Sequence, residues 1–176
     1  YDSPTLATGE AADIVLGKFD FNSGHPNSGL PVASNTLFSP QRVMVVGSDV
    51  WTADSANNRV LRYTAPSTDT EPADLVLGQP NMFSNTSGSV WDASLSLSRN
   101  VASDAAGNIW VADTTNNRVL KFPGFPSQQT PWTNALVVLG QEDFASNAVN
   151  QGGLVSFRTL SSPTDLAFDS SGNLWV

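Results

Sequence analysis

The chain contains no cysteine, which excludes disulfides and thiolate-held metal sites. It has a single histidine, His25, set in a stretch rich in Gly, Pro and Asn. A histidine cluster for metal binding is excluded within these residues, and His25 reads as an exposed loop residue. Serines are plentiful, but none lies in Gly-x-Ser-x-Gly or has an evident base beside it. No phosphate-binding glycine loop, EF-hand or metalloprotease helix motif occurs. Basic side chains are scarce: 8 Lys and Arg face 16 Asp and Glu, for a net charge of -8. Four of the eight (Arg59, Arg62, Arg118 and Lys121) sit at matching places in a repeat and read as structural. A phosphate backbone needs basic surface, so nucleic acid is not an expected partner. No apolar run approaches the ~20 residues that cross a bilayer, so no membrane span is expected. The chain begins at Tyr1 without a signal-peptide pattern, and reads as processed or as part of a longer protein.

Apolar residues make up 40% of the chain, enough for a core. They come in short runs between Ser, Thr, Asn, Gly and Pro, which favours many short strands joined by turns. The runs repeat. Ala12-Asp13-Ile14-Val15-Leu16-Gly17, Ala73-Asp74-Leu75-Val76-Leu77-Gly78 and Ala135-Leu136-Val137-Val138-Leu139-Gly140 align, with their glycines 61 and 62 residues apart. Trp51-Thr52-Ala53-Asp54 matches Trp110-Val111-Ala112-Asp113, and Trp175-Val176 begins the same pattern. Asn57-Asn58-Arg59-Val60-Leu61-Arg62-Tyr63 matches Asn116-Asn117-Arg118-Val119-Leu120-Lys121-Phe122, and Tyr1 fits the last position of an earlier unit. In the second unit these segments predict strands near 101–103, 109–112, 118–122 and 136–139. Asp104-Ala105-Ala106-Gly107-Asn108 and Asp169-Ser170-Ser171-Gly172-Asn173 read as hairpin turns, with Gly or Asn at positive φ. Four antiparallel strands per unit make a propeller blade. The expected fold is all-β: about two full blades, 40–78 and 98–140, with parts of two others at 1–17 and 163–176. A propeller closes with about 4–8 blades, so this segment is an incomplete one.

The pattern Pro-x-x-apolar-Ala-x-Asp, Gly-Asn-apolar-Trp-Val, then Ala-Asp-x-x-Asn-Asn-Arg-Val-apolar, carried by Pro163–Val176 and Ala112–Leu120, resembles the NHL repeat. The resemblance covers nearly the whole chain and implies a closed propeller, commonly of about six blades. Ser98 departs from it where Pro40 and Pro163 stand, and the turn at Gly47-Ser48-Asp49 is one residue shorter. The repeat is also longer than is usual for the family. The extra length lies in the connections 18–39, 79–97 and 141–162, which share Asn27-Ser28-Gly29-Leu30, Asn85-Thr86-Ser87-Gly88 and Asn150-Gln151-Gly152-Gly153-Leu154. A loop repeated in every blade reads as architecture rather than as a single acquired ligand site.

Asp54, Asn58 and Arg59, with Asp113, Asn117 and Arg118, are the most conspicuous polar groups. They could ring an anion or a metal. Their recurrence favours turn chemistry instead, with each arginine pairing with a carboxylate across adjoining blades. Trp51, Trp110 and Trp175 could form an aromatic cage, but read as wedges between blades. No cofactor is indicated. Glu142, Asp143 and Asp165 offer oxygen ligands for Ca²⁺ without a specific spacing, and Asn85-Thr86-Ser87 is the one N-glycosylation acceptor pattern.

The preferred functional reading is a non-catalytic, secreted or cell-surface propeller scaffold that binds a protein or glycan partner, or further blades of its own parent protein. Alternating strand direction puts the long connections on one face together with 54–58 and 113–117, and loops on a rigid scaffold carry most binding functions. His25, Phe83, Trp91, Phe144 and Arg158 are the exposed candidates there. Two alternatives remain. One is part of a propeller lyase or hydrolase whose metal ligands lie on other blades, as the NHL resemblance allows, although the innermost strands here offer no histidine. The other is a subunit that completes its propeller by assembly.

Overall fold

The computed structural model describes residues 8–124 and 133–176. Strands β1 (Pro40–Val46), β2 (Asp49–Asp54), β3 (Arg59–Tyr63) and β4 (Leu75–Leu77) form one antiparallel sheet in chain order. Strands β5 (Ser98–Ser103), β6 (Ile109–Asp113), β7 (Arg118–Phe122) and β8 (Val137–Leu139) form a second. A hairpin of β9 (Ala167–Phe168) and β10 (Leu174–Trp175) begins a third. Each four-stranded meander is a propeller blade, and the fold is the all-β incomplete propeller expected.

The two blades share one register. Trp51 lies opposite Arg62 as Trp110 lies opposite Lys121. Asp54 lies opposite Arg59 as Asp113 lies opposite Arg118. Both inner strands carry an irregularity near their start, at Pro40/Arg42 and at Ser98/Asn100. Ser98 thus takes the structural place of Pro40 although it lacks the ring.

Alternation along each strand sends successive side chains to opposite faces. In β3, Val60 joins the core between the two blades, with Trp51, Leu77, Val101, Val111 and Leu120. Leu61 and Tyr63 point the other way, onto Leu37 of the first connection. In β7, Leu120 and Phe122 face the first blade while Val119 faces the terminal hairpin through Leu166. Blades therefore stack face to face, and each interface is built from alternate residues of the same strands.

Two expectations need correction. Ala12–Gly17 forms no strand, because no described strand lies beside it to share a ladder. Its Gly17 nonetheless repeats a local device: Gly17, Gly78 and Gly140 all adopt positive φ, at +78°, +88° and +90°. A Cβ at each would collide with Leu37, Leu95 or Leu160, so the backbone must turn tightly over that leucine. Tyr1 and the rest of 1–7 lie outside the described residues. The second correction concerns Trp175. It occupies the repeat position of Trp51 and Trp110 but is 66% exposed, whereas Trp51 is 3% exposed. Trp110 is intermediate, with Phe168 edge-on to its ring at 5.9 Å. A wedge needs a blade on both sides, and among the described residues nothing packs over Trp175.

Candidate functional site

The face that bears the long connections is assembled around two buried arginines. Each β2–β3 and β6–β7 link is a short 3-10 turn, Ser55–Asn57 or Thr114–Asn116, closed by an asparagine in the left-handed region, Asn58 at φ 54° and Asn117 at φ 53°. Asparagine tolerates that conformation better than most residues. The turn swings the following arginine back beneath the aspartate that precedes it.

Arg59 Nε donates to Asp54 Oδ2 at 2.7 Å, Nη1 to the Met82 carbonyl at 2.6 Å, and Nη2 to the carbonyls of Ala33 and Thr36 at 2.9 and 2.8 Å. Arg118 repeats every bond: Asp113 Oδ2 at 2.7 Å, Phe144 O at 2.5 Å, and Trp91 O and Ser94 O at 3.0 Å each. Both ion pairs are fully buried. The planar fork of arginine suits such multidirectional donation, which a lysine ammonium would not reproduce. The carboxylates are also saturated. Asp54 accepts from Phe38 N–H and Asn57 Nδ2, and Asp113 accepts from Ser96 N–H and Asn116 Nδ2. Burial pushes both carboxyls up from their ordinary pKa, while the adjacent guanidinium opposes that rise.

This geometry corrects the expected pairing across blades. Each arginine pairs with the aspartate of its own blade and spends its remaining donors on carbonyls of the connections before and after it. Its bonds bridge two connections, so the loop face is fastened from below. Asn58 and Asn117 add a second fastening. Asn58 donates to Asn85 O and accepts from Leu97 N–H, and Asn117 donates to Asn147 O and accepts from Ser162 N–H.

Reading the sequence missed Gln79 and Gln141. Each donates through Nε2 both to the carbonyl of the left-handed asparagine and to its own connection, at Thr86 O or Ala148 O, all at 2.9 Å. The repeated dipeptides Gly78-Gln79 and Gly140-Gln141 were the available signal. Lys18, after Gly17, takes the corresponding place and donates to His25 O. Asn57 and Asn116, which hold the aspartates, were likewise passed over in favour of the asparagines that follow them.

The tryptophans carry cations on their faces, Arg62 over Trp51 at 5.8 Å and Lys121 over Trp110 at 5.3 Å. On the opposite, short-turn face, Asp104 accepts from Ala106 and Asn108 N–H, from Asn108 Nδ2 and from Trp110 Nε1. Asp169 makes the same set with Ser171, Asn173 and Trp175. Burial alone would raise Asp104, but the bonds from Trp110 and Asn108, with Lys121 nearby, hold it at about 2. For Asp169 the Asn173 bonds and then Trp175 bring it to about 2.

The five candidate loop residues do not converge. His25 and Arg158 are exposed, and Arg158 stacks on its neighbour Phe157 at 5.3 Å. Phe83 is 71% exposed. Trp91 and Phe144 are half-buried, and their carbonyls receive Arg118. The oxygen-ligand candidates are also apart in role: Asp143 caps Ala145 N–H, while Asp165 accepts from Asn100 Nδ2 and Leu166 N–H. Among the described residues no three His, Asp or Glu side chains gather where they could hold a metal ion. Among the described residues no helix is long and apolar enough to cross a membrane.

Four-stranded antiparallel blades stacked face to face, each tied to its neighbours at one end by a buried Asp–Arg pair, define a β-propeller array. Residues 100–122, which run from β5 through β7, match the family model of the NHL repeat, so the chain carries an NHL repeat. No curated protein matches the chain.

Proposed function

We propose that the chain is a non-catalytic, extracellular propeller scaffold whose long-connection face binds a protein partner. One observation carries the reading. Apolar side chains, Phe21 and Phe83 among them, stand exposed on connections whose backbones are fixed from beneath by Arg59 and Arg118. Exposed aromatics on a preorganised surface bind at low entropic cost. A net charge of -8 favours a partner with basic groups around its apolar contact. His25 and Arg158 serve as polar contacts on the same face; Trp91 and Phe144 support it from below.

Panning a displayed peptide library on the purified chain, with a glycan array in parallel, tests this. The expected result is peptides whose capture falls at least about tenfold with Phe83→Ser and is unaltered by Ser170→Ala on the short-turn face. Capture of glycans alone would replace the protein partner by a carbohydrate. Binding that depends on the short turns would overturn the placement.

A further inference from the structure

The second connection departs from the other two at places that lie together. Its register against them is fixed by the side chain that follows each glycine. Lys18, Gln79 and Gln141 donate to the carbonyls of His25, Thr86 and Ala148. In that register Phe83 stands where the other connections have Asn22 and Ala145. Asn85 stands where they have Gly24 and Asn147, and Ser87 where they have Pro26 and Val149. From that point the first and third connections coil into the 3-10 turns Pro26–Gly29 and Val149–Gly152. The second connection runs on without such a turn.

Asn85-Thr86-Ser87 has the pattern of an acceptor for N-linked sugar, with no proline between the asparagine and the hydroxyl residue. All three residues are exposed and lie outside any strand or helix. Their backbone is nonetheless held. Asn58 Nδ2 donates to the Asn85 carbonyl at 3.0 Å, Gln79 Nε2 to the Thr86 carbonyl at 2.9 Å, and Thr86 N–H to Gln79 Oε1 at 3.1 Å. The Asn85 side chain therefore projects from a fixed support. Phe83, two residues earlier, is 71% exposed. It sits in the connection between the two complete blades, so its exposure is not that of a chain end. The aligned Asn22 and Ala145 show that the shared architecture needs no aromatic ring at this position. Two residues of extended chain cover about 7 Å, which an asparagine side chain carrying one sugar can span.

We propose that Asn85 is a glycosylation site whose first sugar, an N-acetylglucosamine, packs on the ring of Phe83. The donor is a lipid-diphosphate-linked oligosaccharide. Asn85 Nδ2 forms a bond to the anomeric carbon of the sugar and gives up a proton. The bond from that carbon to the diphosphate breaks, and the lipid diphosphate leaves with the electron pair. The C–H face of the sugar carries partial positive charge and the face of an aromatic ring partial negative charge, so the two attract. Stacking also removes apolar ring surface from water. The proposal rests on the extracellular part of the reading above and adds a regulation to it. With the sugar attached, Phe83 is covered and the apolar contact for a protein partner is closed; the bare chain keeps it open.

The test produces the chain in a eukaryotic secretory host and maps the Asn85 peptide by mass spectrometry. Asn85 should carry a glycan, and Ser87→Ala should leave it bare. In thermal unfolding the glycosylated chain should melt about 2–4 °C above its Asn85→Gln variant, the shift that one aromatic contact gives in a chain of this size. Trimming the glycan to the single N-acetylglucosamine should keep that shift. Phe83→Ser should abolish it while Asn85 stays occupied. Peptides selected on the sugar-free chain should be captured at least about tenfold less by the glycosylated one. An empty Asn85, a shift that survives Phe83→Ser, or undiminished capture by the glycosylated chain overturns the proposal. Failure of the sugar-free chain to capture any peptide counts against the protein-partner reading alone, because occupancy and melting are read without a partner.

Discussion

The two complete blades have the same register and the same buried Asp–Arg pair, yet they differ in which polar atoms are satisfied. In the first blade, Thr52 Oγ1 and the Tyr63 hydroxyl are buried without a hydrogen-bond partner. The second blade places Val111 and Phe122 at those two positions, so the question does not arise. The first blade turns between its inner strands on Gly47-Ser48, with Gly47 at φ 64°, whereas the second uses the Asp104 box. Arg62 pairs with Asp74 in the first blade; Leu136 stands at that place in the second, and Lys121 turns to Asp104 instead. The fold fixes the blade-to-connection fastening and leaves the hairpin end free to vary. The family match falls on 100–122, the blade with the full hairpin box.

The largest effect expected is one that is equal in both blades. Arg59→Ala and Arg118→Ala each leave a buried carboxylate without its counter-charge and free three carbonyls, and should each cost about 3–5 kcal/mol by urea unfolding. Asp113→Asn, which keeps the shape and some of the bonds, should cost about 1–3 kcal/mol. A large inequality between the two arginine variants would show that the blades are not fastened alike.

Next come the tryptophans, where one repeat position meets three environments. Trp51→Ala should cost about 3–5 kcal/mol, Trp110→Ala less, and Trp175→Ala within about 0.5 kcal/mol, as for a surface substitution. Thermal unfolding of the three variants checks the order. In the opposite direction, Tyr63→Phe and Thr52→Val make the first blade resemble the second. Each should raise stability by about 1 kcal/mol, since each removes a buried hydroxyl without a partner; a loss in either would mean that the hydroxyl is satisfied by water.

The smallest effect is pH-dependent and, of the two complete blades, belongs to the second; the Asp169 box of the terminal hairpin repeats its chemistry. Asp104 titrates at about 2 when folded, below the ~3.9 of an unfolded aspartate. A depressed carboxyl contributes stability above the unfolded pKa and loses it as pH falls through the folded one. Asp104→Asn should therefore remove an increment that the native chain keeps at neutral pH and loses between about pH 4 and 2. Acid titration followed by tryptophan fluorescence reads the difference. No such increment is expected from the Gly47 turn, which has no equivalent carboxylate.

By itself the sequence determined the period, the strands and the residues that recur. Those are consequences of local chemistry: β-branched and aromatic runs, and Gly or Asn at positive φ in the turns. The pairing of Asp54 with Arg59 rather than with a neighbouring blade was not legible, because it depends on the 3-10 turn folding the arginine back under its own strand. Nor could the repeat pattern distinguish Trp51 from Trp175, which share a position and differ only in whether a blade lies over them. The same holds for the loop face. His25, Phe83, Trp91, Phe144 and Arg158 look alike as loop residues in sequence. Only the tertiary structure separates Trp91 and Phe144, whose carbonyls receive an arginine and whose rings are drawn inward, from Phe83, which nothing covers. Recurrence records what every blade must do to fold, whereas exposure depends on what each blade has beside it.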